Sequence, residues 1–354
     1  MTGRSAGRLR RELRQLQTAS VSVGVMAPTL AMSVTGAAAA ATLGAAAPLA
    51  FVVAAVAVAL VAYGFIRLAG EFAHAGSVYA FVGRALHPRA GFVAGWALLG
   101  TYLVFPPVSV IGVAVFGRAL LTVTGVPADV DWYVLALMGL AVIGYLALRG
   151  ILPSMRSVLA FEVVSVVLIL GLMVVIFARV ASGSPPGGSG DGTVSDVVRL
   201  PAGVGVGRLA VAATAGFLAF AGFESAGSLG EESLDPRRSV PRALMIAVGV
   251  GGVFYVSCMI AQSLGFGTDP RGFAAFRAST APLGDLAQRY VGTWLAALLD
   301  AGAVLSALGA GLGGVIVASR MLFALGRDAV APRFLADVSP RTNVPPRRSP
   351  SRWG

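Results

Sequence analysis

The chain has no lysine, one cysteine and two histidines in 354 residues, and charge of either sign occupies only 12% of positions. A single cysteine, Cys258, excludes an internal disulfide and a thiolate metal cluster. His74 and His87 stand at a non-periodic spacing with no companion carboxylate pattern, so they read as interfacial polar residues rather than metal ligands. With no histidine or cysteine constellation in the apolar runs, an intramembrane enzyme would need Glu162, Glu224 and Asp300 to converge, which spacing does not establish. The expectation is a non-enzyme without a cofactor. All 27 basic residues are arginine, attributed to the base composition of the gene, and they outweigh 16 acids to leave a net charge of +11. They sit at the ends of apolar runs and in short loops, where they orient a membrane protein; nucleic acid is not the expected partner.

What is abundant is apolar: 56% of residues, with a mean hydropathy of +0.82. A soluble domain is not built this way. No charge interrupts the chain between Arg14 and Arg67. As one helix, at about 1.5 Å per residue, that gap would be more than twice a ~30 Å hydrocarbon core, so it must fold back, near Gly44 to Pro48. It is also far longer than a signal-peptide core, so the first span is read as retained. Apolar runs bounded by charge, glycine or proline predict eight helices, near residues 17–44, 48–67, 91–122, 132–148, 157–178, 209–230, 243–266 and 293–319.

With the N-terminus cytoplasmic, sixteen arginines fall inside, from the Arg4 to Arg14 cluster through Arg67, Arg84, Arg89 and Arg237 to Arg333, and seven outside, among them Arg118, Arg208, Arg277 and Arg289. That satisfies the positive-inside tendency and predicts a multi-pass protein of the cytoplasmic membrane. Residues 182–192 form a Ser/Gly/Pro-rich stretch with no means of packing. It separates five spans that begin inside from a group that begins outside, the arrangement of an inverted repeat. The expected layout is a basic N-terminus (1–16), a first repeat (17–180), a flexible external linker (181–206), a partial second repeat (207–338) and a polar tail (339–354).

The first span of each group carries a helix breaker at similar depth: Pro28 in one, and Gly222 beside Glu224 in the other. Proline removes a donor and clashes with the preceding turn, so an interruption over Ala27, Pro28, Thr29 and Leu30 is motivated, although a simple kink remains an alternative. A carboxylate at bilayer depth costs about 2.5–3.5 kcal/mol on insertion scales, so Glu224 has a task or a packing partner. Between two broken helices lie unsatisfied amides on one side and carbonyls on the other, a receptor for a zwitterion. The substrate carboxylate is expected on the amides around Thr29 to Ala31 and its ammonium near the carbonyls of Phe220, Ala221 and Gly222, with Phe220 and Phe223 as aromatic cover. Glu162 and Asp300 are further buried acids. Either could carry a coupling proton or pair with an arginine, the pairing being favoured for Asp300, while Ser165 and Ser306 could offer oxygens to sodium; the sequence leaves proton against sodium open.

At this point the chain resembles the amino acid–polyamine–organocation permease superfamily. Three stretches carry the resemblance: Phe72 to Tyr79 leading to Gly91 and Trp96, Phe220-Ala-Gly-Phe-Glu224, and Glu231 to Arg242; Ser319 to Asp328 adds to them. The resemblance implies an all-α, leucine-transporter-like inverted-repeat fold that moves amino acids or related amines by alternating access. It places the unwound segments on Ala27 to Leu30 and on Phe220 to Phe223, and puts Glu224 on an acid linking substrate occupancy to gating. Two positions depart from the family: the first break reads Ala-Pro-Thr, and Leu218 stands where an aromatic is common. The family has ten or more helices, whereas this chain ends after the eighth with the second repeat incomplete. Its last residues, 341–354, cannot span a membrane, so a truncated or frame-shifted product is expected. The rival to a working permease is therefore a non-transporting membrane fragment of one.

Overall fold

The structure is a computed structural model that describes residues 22–336, apart from 72–77, 128–129, 150, 187–192, 201–202 and 230–232. The expected N-terminal segment 1–16, the tail 339–354, His74, Glu231 and Glu232 lie outside the described residues, as does part of the 182–192 stretch.

Every element of two or more residues among the described residues is helical. In chain order the helices are α1 (Pro28–Leu43), α2 (Ala47–Glu71), α3 (Val78–Ala85), α4 (Pro88–Val123), α5 (Trp132–Arg149), α6 (Ile151–Ala181), α7 (Val194–Val198), α8 (Val206–Phe220), α9 (Pro236–Phe266), α10 (Pro270–Ala278), α11 (Pro282–Tyr290) and α12 (Thr293–Arg327). Among the described residues six helical runs are long and apolar enough to cross a membrane. The first is a 50-residue run, Ser22–Glu71, and Trp132–Leu148 is a shorter apolar helix beside them. The fold is thus an all-α, multi-spanning membrane fold. The Ser22–Glu71 run turns through Gly44, which at φ 64° takes a conformation glycine adopts without steric cost.

α12 is the hub, packed chiefly against α4, and also against α6 and α11. Its composition explains how: Gly302, Gly311, Gly313 and Gly314 leave no room for a β-carbon. A Cβ on Gly314 would lie 2.6 Å from Phe105 Cβ and 3.3 Å from the Tyr102 carbonyl oxygen. That carbonyl is one that Pro106, inside α4, deprives of its helical donor. Small residues are how membrane helices reach such proximity, since lipid is as apolar as leucine and only close packing favours association. Around the hub, α2 packs along α9 and α8. The outward faces of α2, α5, α6 and α9 expose Leu60, Leu137, Val164 and Val250, as a lipid-facing surface requires.

Among the described residues four short helices, α3, α7, α10 and α11, lie outside the predicted spans. α3 is amphipathic, and α10 and α11 form a proline-started pair before α12 that buries Phe276 against Phe266 with stacked rings 4.6 Å apart. Long apolar runs are the signal for a span, and nine-residue helices with a mixed surface give none. Within 181–206, expected to be a flexible linker, α7 is a capped helical turn: Asp196 accepts from the Thr193 amide at 2.7 Å, and Val197 is fully buried. Those hydrogen bonds hold the exposed Asp196 carboxyl below the usual carboxylate range.

Candidate functional site

The first interruption is one residue wide. Residues 22–26 are helical, Ala27 sits in the left-handed region at φ 45° and ψ 64°, and α1 restarts at Pro28. The expected opening over Ala27 to Leu30 is narrower because Pro28 serves as the first residue of a helix, where its missing donor is not needed and its φ is already set. Ala27, pushed out of the α region by the proline ring, absorbs the whole turn.

The amides that this break exposes are already engaged. The Thr29 N–H donates to Glu162 Oε1 at 2.8 Å, the Leu30 N–H to Ser306 Oγ at 3.1 Å, and the Ala31 N–H to the Ala27 carbonyl at 2.8 Å. The donors expected to receive a substrate carboxylate are therefore filled by the protein itself, with α6 and α12 supplying two of the acceptors and Ala27 the third. Ser306 also faces the Glu162 carboxylate, and Ser165 lies where a side chain on Gly302 would strike it.

The second interruption follows α8. Ala221 is extended at ψ 131°, Gly222 takes φ 100°, and a 3-10 segment runs from Phe223 to Leu229. The two breaks touch. A Cβ on Gly222 would lie 2.5 Å from Val25 Cγ1, and a side chain on Gly313 would also strike Val25. Ser22, buried in the 22–26 turn, donates to the Phe223 carbonyl at 2.8 Å and accepts from the Ala226 amide at 3.1 Å.

Beside the breaks is a cavity of about 580 Å³, within the range of small-molecule sites. Of the sequence-predicted residues, Ala27, Leu30, Ala31 and Ala221 line it. Pro28, Thr29, Phe220, Gly222 and Phe223 do not. Phe220 is turned edge-on against Tyr255 with centroids 5.0 Å apart, and Phe223 packs on Phe65 at 5.8 Å. The aromatics on the cavity are instead Phe105 and Phe116 of α4, and Leu218 stands at its wall. Among the described residues no charged side chain lines it; its polar side chains are hydroxyls such as Ser33, Thr101, Ser109 and Thr280.

Both expected coupling acids lie behind the breaks. Glu162 braces the first from α6, as above. Glu224 is buried and accepts a 2.7 Å hydrogen bond from Tyr102 Oη, which ties the second break to α4. Sequence reasoning missed Tyr102, Tyr255 and Gln262. Tyr102 lies six residues from the nearest motif residue, Trp96, and gives no signal of its own. Gln262, buried in α9, donates to the Met32 carbonyl at 3.1 Å, and its Oε1 has no hydrogen-bond partner among the described residues. Asp300, for which an arginine partner was favoured, has neither a hydrogen bond nor an ion pair among the described residues. No group of three histidine, cysteine, aspartate or glutamate residues poised for a metal occurs among the described residues.

A family model described as amino acid permease matches residues 13–347. The chain belongs to the amino acid permease family. Similar proteins include an uncharacterized transporter of Mycobacterium tuberculosis, 30% identical over 286 residues, covering 79% of this chain and 58% of the relative. The low-affinity putrescine importer PlaP of Escherichia coli is 26% identical over 300 residues, covering 84% and 63%. The branched-chain amino acid permease BcaP of Bacillus subtilis is 26% identical over 353 residues, covering 95% and 71%. The chain spans about three-fifths of the length of the first two. As a member of that family, with six helical runs long and apolar enough to cross a bilayer, it is a multi-pass membrane protein.

Proposed function

We propose that the chain forms the substrate-holding bundle of a secondary transporter that moves amino acids or amines across the cytoplasmic membrane by alternating access. Substrate would sit in the cavity against Ala27, Leu30 and Ala31 on one side and Ala221 on the other. In this reading Ser22–Glu71 crosses twice and α5 also crosses, giving eight crossings in two oppositely oriented groups, with the N-terminus inside. The touching of the two breaks across Val25 and Gly222 supports it, because interrupted helices at membrane depth are tolerated only against protein or a cavity.

The observation that carries the substrate class is the lining. Without an acid or base on its walls, the cavity suits a neutral, apolar side chain and offers a second ammonium or a guanidinium no counter-charge. Of the relatives' printed substrates, branched-chain amino acids fit this and putrescine does not.

Glu162 and Glu224 then act as braces. Each fixes one break to a scaffold helix through one short hydrogen bond, so a change in the charge of either carboxylate changes how firmly its break is held. Uptake of labelled leucine and labelled putrescine into proteoliposomes tests the whole reading. Leucine should accumulate and putrescine should not, and Glu224→Gln should flatten the pH dependence of leucine uptake. Uptake of neither by correctly inserted protein would favour a non-transporting bundle, and an unchanged pH profile in Glu224→Gln would remove the coupling role.

A further inference from the structure

A second cavity, of about 470 Å³, lies between the end of α4, α11 and the start of α12, and shares Val115 and Thr280 with the first. Its character is opposite. Asp300 lines it, is only 4% exposed, and has no hydrogen-bond or ion-pair partner among the described residues. The carboxylate lies against Gly284, where a side chain would collide with its oxygens. Asp285, one residue on, lines the same chamber and accepts a 2.5 Å hydrogen bond from Ser279.

The cations nearby do not answer these two acids. Arg118, on the opposite wall, makes no ion pair with either among the described residues. Arg289 of α11 lies over the Phe266 ring and reaches the Gly265 carbonyl, and Arg277 of α10 lies over Phe273. A buried carboxylate without a partner is rare, because buried charges are paired or hold a cation.

We propose that this chamber is a binding site for an alkylammonium group, with Asp300 as the principal counter-charge and Asp285 as the second. The rest of the wall favours an organic cation over a bare metal ion: Ala119, Val123, Ala281 and Ala296 would meet an alkyl stem, and no third carboxylate, histidine or cysteine joins the two acids among the described residues. The binding itself does not rest on the transport reading.

The test is calorimetric titration of the full chain in nanodiscs with n-butylammonium chloride at constant ionic strength, and in a separate arm with sodium chloride. Saturable n-butylammonium binding is expected, weakened at least tenfold in Asp300→Asn and about threefold in Asp285→Asn. Because Asp285 is exposed, Asp285→Arg serves if Asp300→Asn does not fold: its guanidinium should fill the chamber and abolish binding. Wild-type protein that binds no n-butylammonium, binding untouched by these variants, or saturation by sodium alone would each overturn the proposal. No gradient is used, so loss of uptake with binding intact counts against the transport reading only, and uptake without n-butylammonium binding counts against this site only.

Discussion

Two carboxylates decide the local chemistry of the breaks, and each acts through one short bond. Glu162 takes the Thr29 amide, a donor that the turn at Ala27 and Pro28 leaves without a helical acceptor. Glu162→Ala should strand that buried N–H and lower stability by about 1–3 kcal/mol. Glu162→Gln keeps an acceptor in place and should cost less than half as much, read as the thermal midpoint in detergent. For Glu224 the partner is Tyr102. Tyr102→Phe should cost about 1–2 kcal/mol, toward the lower end because hydrogen bonds between membrane helices are worth little more than in water. A double-mutant cycle with Glu224→Gln isolates the pair: near-additive effects would mean that the bond contributes nothing. The identity of both acids was legible in the sequence as charge where charge is scarce. Their partners were not: Tyr102 is an ordinary residue until the helices pack, Ser306, read as an oxygen for sodium, stands instead on the Leu30 amide beside Glu162, and hydropathy carries no information about which side of a helix faces which neighbour.

At the scale of the element, the two breaks are made differently. Pro28 forces the first, and the site of the turn was readable from proline alone, though its width was not: a proline that starts a helix needs only one residue of disruption. Gly222 permits the second, and its φ of 100° is closed to most side chains at low cost. Gly222→Ala would add both that strain and a 2.5 Å contact with Val25 Cγ1, so it should destabilise by about 1–3 kcal/mol. Val25→Ala in the same chain should recover only part of the loss, because a 3.1 Å approach to the Val25 carbonyl carbon and the backbone strain both remain. Full recovery would mean that the collision is all that matters and that the left-handed turn is not required. Phe220 and Phe223 show where sequence reasoning stops at this scale. Their place beside the break was plain, but the 3-10 turn after Gly222 sends Phe223 to Phe65, while Phe220 faces Tyr255, so the cavity wall is left to Leu218 and Ala221.

For the whole molecule the deciding quantity is the number of crossings between Arg89 and α10, and parity measures it. Long apolar runs were legible because a bilayer admits few alternatives, but α5 is the marginal case: Trp132–Leu148 is a shorter apolar helix than the six long runs. At about 1.5 Å per residue, its 18 residues reach ~27 Å, just enough for a thin hydrocarbon core. Arg89 and Arg277 are both exposed. Between them lie α4, α5, α6, α8 and α9, five crossings if α5 spans and four if it does not. In a Cys258→Ser background, which removes the one native thiol, a membrane-impermeant maleimide applied to intact cells should label Arg277→Cys at once and Arg89→Cys only after permeabilisation. Labelling of both from the same side would take α5 out of the membrane and with it the opposed orientation of the two groups. The reverse pattern would keep the crossings and invert the protein, against the sixteen-to-seven division of arginines that sets its expected direction.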